Sequence, residues 1–180
     1  MLQPTLQLAI FTGIFCLCSS ITDKIIGPGV FKFQSYEHCD PPVTEVYLWV
    51  TQRKFNRTRN VLDMTLSTPW PLSDDIIMEI DTSSKKDGGY KPGSFYMKGP
   101  FCKTLQSLMG DLFDAIVNAA GVEDCPIPGD VKVDGFYVDS EKLNEQMLYG
   151  DYRAKLSFFV DDETKGCYIL YMQLVAKEED

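Results

Sequence analysis

Residues 150–160 place Tyr152, Ala154, Leu156, Phe158 and Val160 on one side and Arg153, Lys155 and Ser157 on the other. That is the period of two imposed by a half-buried β-strand. Residues 167–175 are apolar on both sides, with Tyr168, Leu170, Met172 and Leu174 opposite Ile169, Tyr171 and Val175, which predicts a strand covered on both faces. The acidic connector 161–166 turns the chain back between them, so a hairpin closes the domain.

Further alternating or β-rich runs occupy 30–37, 44–51, 60–66, 75–81 and 131–138, separated by Pro- and Gly-containing loops at 38–42, 67–73, 83–89 and 125–129, while 94–98 leads as a loop to Gly99-Pro100. Between 102 and 120 the period changes. Leu105, Leu108, Met109, Leu112, Phe113, Ile116 and Val117 recur at helical spacing, predicting one amphipathic helix that stops at Gly121. A short helical turn is expected over 140–147. The pattern predicts a mainly β, antiparallel β-sandwich or β-cup with one amphipathic helix, in a single domain over residues 21–180.

Residues 1–20 carry no charged side chain and include an apolar run from Leu8 to Leu17 followed by Ser19 and Ser20. They read as a secretory signal peptide cut near Ser20, and place the protein in the extracellular space, the lysosomal lumen being the other destination of such a leader. Outside the leader, Cys39, Cys102, Cys125 and Cys167 make an even, widely spaced set, expected as two disulfides with three connectivities open. No Cys-x-x-Cys pair exists among them and His38 is the single histidine, so neither a metal nor a cofactor is expected. The sequon Asn56-Arg57-Thr58 predicts an exposed, glycosylated loop or strand edge.

The 26 acidic against 17 basic side chains, a net charge of -9, argue against nucleic acid and against electrostatic docking on anionic lipid. Catalysis would have to use His38, beside a cysteine and two prolines, and the acidic pairs Asp74-Asp75 and Asp161-Asp162 fall at turns, where solvated charge is the ordinary explanation. An enzyme is therefore not expected. The 11 Phe, 9 Tyr and 7 Met are more telling, because Trp70, Leu72, Phe95 and Tyr96 stand in loops where polar residues are the rule. Such residues either plug the end of a core or rim an apolar mouth.

Several short motifs come in a characteristic order: Phe101-Cys102 opening the helix, Cys125-Pro126-Ile127-Pro128-Gly129 before a strand, Phe136-Tyr137-Val138, Gly150-Asp151-Tyr152-Arg153, and Lys165-Gly166-Cys167 opening the last strand. This order resembles the ganglioside-activator branch of the lipid-recognition family, secreted β-cups that hold a lipid between their sheets. The resemblance implies disulfides Cys39–Cys167 and Cys102–Cys125, and a cavity rim at the loop 68–73 and at Phe95-Tyr96. The chain lacks that family's extra disulfides around the helix, so ganglioside specificity and a lysosomal hexosaminidase partner are not carried over. Arthropod secreted chemosensory or lipid-carrier relatives are similar to the two-disulfide pattern.

The expected function is binding and transfer of a lipid or other apolar small molecule between two β-sheets, with transient contact to a membrane surface. The expected cavity face is Leu62, Met64, Leu66, Ile76, Met78, Leu156, Phe158, Leu170 and Met172, with Trp70, Leu72, Phe95 and Tyr96 at the rim. Two alternatives stand beside it. One is a secreted interaction module with a filled core, binding an unidentified protein such as a receptor; the other is an activator presenting lipids to a hydrolase.

Overall fold

The computed structural model describes residues 26–27, 29–57, 59–139 and 147–176. The expected leader lies outside these residues, and so does the helical turn expected over 140–147 except for Met147, which is strand. The described strands are β1 (Ile26–Gly27), β2 (Gly29–His38), β3 (Tyr47–Lys54), β4 (Asn60–Ser67), β5 (Ile77–Lys86), β6 (Gly89–Pro100), β7 (Asp130–Phe136), β8 (Met147–Leu148), β9 (Gly150–Val160) and β10 (Glu163–Ala176). They form a five-stranded antiparallel sheet in the order β2-β10-β9-β5-β6, a three-stranded antiparallel sheet β3-β4-β7, and a short pair β1-β8. Two helices, α1 (Phe101–Met109) and α2 (Asp111–Ala119), complete the described fold.

The mainly β sandwich expected from the alternation is present, and so are both disulfides, Cys39–Cys167 and Cys102–Cys125. The hairpins are tighter than the loop residues suggest. Asp161 and Asp162 alone turn β9 into β10, at φ 50° and 62°, a pair of left-handed residues whose twist matches the flanking strands. The residues expected as an acidic connector, 163–166, already belong to β10. In the same way residues 83–86 extend β5, leaving Asp87 and Gly88 as the turn into β6.

The single helix is a correction: it breaks at Gly110, whose φ of 52° and ψ of -130° are outside any helical geometry. Only glycine takes such a conformation without strain. The start of α1 is held from outside the helix. Pro100 caps it without a side chain, but the Asp74 carboxylate accepts the Lys103 N–H at 3.2 Å and the Phe101 N–H donates to the Ile76 carbonyl at 2.8 Å. Asp74, expected as a merely solvated charge, thus supplies an orphan helical N–H with its acceptor.

Register places Met78, Ile80, Leu156, Phe158, Tyr168 and Leu170 on the inward face of the large sheet. Leu48, Val50, Met64, Leu66, Val131 and Val133 alternate on the facing side of the small one. The core forms where Val46, Leu72, Ile76, Met78, Phe101, Phe113, Ile127, Phe158 and Tyr168 meet. Residues 44–46 cross from one sheet to the other, bridging Thr44 to Gly166 and Val46 N–H to the Lys165 carbonyl at 2.9 Å. Gly166 is required there, since a Cβ would lie 2.6 Å from that of Val46. The Cys39–Cys167 bridge closes 128 residues at this crossing, a constraint worth about 5 kcal/mol in the loop-entropy model.

Candidate apolar binding site

The three-stranded sheet is covered by the helix pair, and between them lies a cavity of about 140 Å³. Leu48 of β3, Met64 and Leu66 of β4, and Val131 and Val133 of β7 form its floor. Phe101, Leu105 and Met109 of α1 and Phe113, Ile116 and Val117 of α2 form its roof, with Ala120 and Ile127 at the ends. Every lining side chain is hydrocarbon or thioether, so none donates a conventional hydrogen bond to an occupant. A lining of this kind offers water no hydrogen-bond partner.

Local sequence explains each wall. Strand alternation points one residue in two at the helices, and the i, i+4 spacing of Leu105 and Met109 and of Phe113 and Val117 returns them to one helical face. The Gly110 break lets α1 and α2 each turn such a face to the same sheet. Cys102–Cys125 ties the start of α1 to the loop before β7, and Leu72 and Ile127 exchange backbone hydrogen bonds at 2.8 and 2.9 Å beneath it. At the far end of the small sheet, Asp63 accepts from Arg53 Nε at 2.6 Å and from the Gly135 N–H at 2.6 Å, joining all three strands. The Arg53 guanidinium first, and the Gly135 amide next, hold the Asp63 carboxyl below its ordinary value.

The predicted cavity residues divide. Met64 and Leu66 line the cavity. Ile76, Met78 and Phe158 are buried in the core, and Leu156 and Leu170 are half-buried against it. Leu62 and Met172 are half-buried on the inward faces but belong to neither the cavity nor the core cluster. The sheet-to-sheet space expected for the ligand is occupied around Tyr168 by protein, because its ring is entirely buried and its hydroxyl spans the gap.

The rim expectation also divides. Leu72 is a correction: it is fully buried, its backbone paired with Ile127. Trp70 is half-buried and packs against the core. Phe95 and Tyr96 are exposed on β6, the far edge of the large sheet, and as successive strand residues they face opposite sides, opposite Thr82 and Asp81. They do not form one mouth with Trp70. The roof residues were visible in the sequence as the apolar helical stripe; what it lacked was any sign of the sheet they cover.

A second hollow, of about 400 Å³, is an open slot between the free edges of β2 and β3, lined by Phe33, Gln34, Ser35, Tyr36 and Trp49, Val50, Thr51, Gln52. The His38 ring packs on that of Tyr168, with 4.9 Å between ring centres. Among the described residues no group of three or more His, Cys, Asp or Glu side chains could hold a metal ion, and no helix is long and apolar enough to cross a membrane. Asn56 is exposed between β3 and β4, its side chain accepting the Arg59 N–H at 2.8 Å.

Residues 78–154 match a family model described as a protein of unknown function (DUF1091). The matched segment runs from β5 into β9 and so contains both helices, the Cys102–Cys125 bridge and β7. Most of the cavity wall lies inside it; β3 and β4, with Leu48, Met64 and Leu66, lie outside. No curated protein matches the chain.

Proposed function

We propose that this protein is a secreted carrier of apolar small molecules or lipids, with its binding site between the helix pair and the three-stranded sheet. The wholly apolar lining of the cavity carries the reading. The order of motifs that resembles the lipid-recognition family, the leader-like N-terminus and two disulfides accord with it. Transfer from water is favourable by roughly 0.8 kcal/mol per methylene, so an apolar cavity extracts its guest without a catalytic group.

The size narrows the ligand. An apolar cavity of roughly 150 Å³ accommodates a ring-sized guest of about six carbon atoms, and the 140 Å³ here is of that class. A compact apolar molecule fits entirely; a long acyl chain enters by its terminal segment, with its head group left outside. Burial of such a segment gains roughly 5 kcal/mol, enough for reversible carriage rather than permanent retention.

The experiment is native mass spectrometry of the secreted protein, extraction of whatever it carries, and uptake of a fluorescent fatty-acyl probe by wild type and Ala120→Leu. Ala120 lines the void, so a larger side chain there should abolish uptake without lowering the thermal midpoint. An empty protein that takes up no probe sinks the proposal. It would favour an interaction module, a reading supported by the filled space around Tyr168 and Val46, both fully buried between the sheets.

A further inference from the structure

The acidic surplus of the chain is not spread evenly. From Val46 to Leu62 there is no Asp or Glu, and the seven residues 53–59 hold Arg53, Lys54, Arg57 and Arg59. The fold gathers them at one tip, because Lys54 pairs with Asn60 and the intervening residues form the β3–β4 connection. Arg53 is spent on Asp63. Neither Lys54 nor Arg57 makes a salt bridge to a described residue, and both are exposed.

Aromatic groups accompany these cations. Phe55, whose N–H donates to the Arg59 carbonyl at 3.0 Å across the connection, is 65% exposed, and Tyr137, 47% exposed, has the Arg59 guanidinium 5.1 Å from its ring centre. An exposed Phe between Lys54 and Arg57, backed by a Tyr–Arg pair, has the composition of a segment that lies in the head-group layer: rings enter the interface while cations meet anionic phosphates or carboxylates. Simple solvation would explain the charges but not the bare phenyl ring.

We infer that the β3–β4 hairpin tip, Lys54, Phe55, Arg57, Arg59 and Tyr137, docks this protein on an anionic lipid bilayer. Local charge overrides the net charge of -9 because, in physiological salt, charges beyond about 8 Å are screened from one another. Strand β4 runs from this tip to Met64 and Leu66 in the cavity floor, roughly 13–20 Å along the strand from Asn60. The inference does not depend on what the cavity holds, and Ala120→Leu, which fills the cavity, leaves docking intact.

The test is flotation of the secreted protein, its occupancy at Asn56 read by intact mass, with vesicles of phosphatidylcholine alone and with phosphatidylserine added. Binding is expected only to the anionic vesicles and should fade as salt is raised. The double variant Lys54→Glu/Arg57→Glu should weaken it about 25-fold or more, at about fivefold for each cation removed, and Phe55→Ala should weaken it at every salt concentration. The thermal midpoint of both variants should stay that of wild type, since these side chains are exposed. Equal binding to both vesicle types, absence of binding, an undiminished double variant, or a glycan on Asn56 that prevents docking of the secreted protein would each overturn the inference. So would self-association in the absence of vesicles that the double variant abolishes, which would assign the tip to a contact between copies.

Discussion

The Tyr168 hydroxyl donates to the Val46 carbonyl at 2.5 Å, linking β10 of the large sheet to the segment that opens β3 in the opposite sheet. The same oxygen accepts the Leu48 N–H at 3.0 Å. With Gly166 admitting Val46 and Cys39–Cys167 closing the chain nearby, these bonds lock the two layers at one end. Leu48 belongs to both features, its N–H to this lock and its side chain to the cavity floor under the helices.

Tyr168→Phe should therefore destabilise the protein by about 3 kcal/mol, since a buried carbonyl and a half-buried amide lose their partner together. Calorimetry should show a fall of roughly 6–12 °C in midpoint. Tyr171→Phe is the control: its hydroxyl donates to exposed Glu37 at 2.8 Å, and its loss should matter little. Equal effects from both variants would mean that Tyr168 is not the tie between the sheets.

The pH profile of stability should have two limbs. Burial raises the Tyr168 and Tyr152 hydroxyls above their ordinary value of 10.0. Folding thus favours the neutral phenols; their contribution is complete below pH 10 and is lost as pH rises toward the folded values. Asp63 behaves oppositely, held below its ordinary 3.8 by the Arg53 side chain and then by the Gly135 N–H. Its contribution is present above that value and is lost as pH falls through the lower folded one. Urea titrations across pH should show Asp63→Asn flattening the acid limb and Tyr168→Phe the alkaline one.

Gly110→Ala forces an L side chain onto φ 52°, ψ -130°, a strain of about 1–3 kcal/mol. Release of that strain by joining α1 to α2 would rotate Met109 and Phe113 off the cavity. We expect a lower midpoint together with weaker uptake of an apolar probe. A stabilised variant with unchanged uptake would show that the break has no role in shaping the roof.

The Trp70 side chain contributes packing alone: its indole packs against the core, while its buried Nε1 finds no partner among the described residues. Trp70→Phe removes an unpaired donor and should change stability by less than about 1 kcal/mol. Trp70→Ala removes the packing and should cost about 2 kcal/mol or more. An Ala variant with a wild-type midpoint would return Trp70 to an exposed rim.

Residue alternation alone identified strands β9 and β10 and the faces on which Leu156, Phe158, Tyr168 and Leu170 sit. A period of two is a local property that burial of one face imposes on any sequence. The apolar stripe from Leu105 to Val117 likewise announced helix, and the even, spaced cysteines announced bridges. Helical spacing could not announce the Gly110 break, since the stripe keeps its period on both sides of it.

Which surfaces meet is another matter, because partners distant in sequence leave no mark in the local pattern. Met64 and Leu66 carried the same signal as Leu62, yet only the first two reach the cavity. Leu72 looked like a rim residue until Ile127 closed over it. Four cations in residues 53–59 were legible as letters, while net charge hid them. The local pattern carried the long strands, their faces, the presence of helix and an oxidisable set of cysteines, but not the break at Gly110. Tertiary structure decided that the void lies between helices and small sheet, and that a hairpin turn brings the cations to one tip, because both depend on contacts that only the folded chain makes.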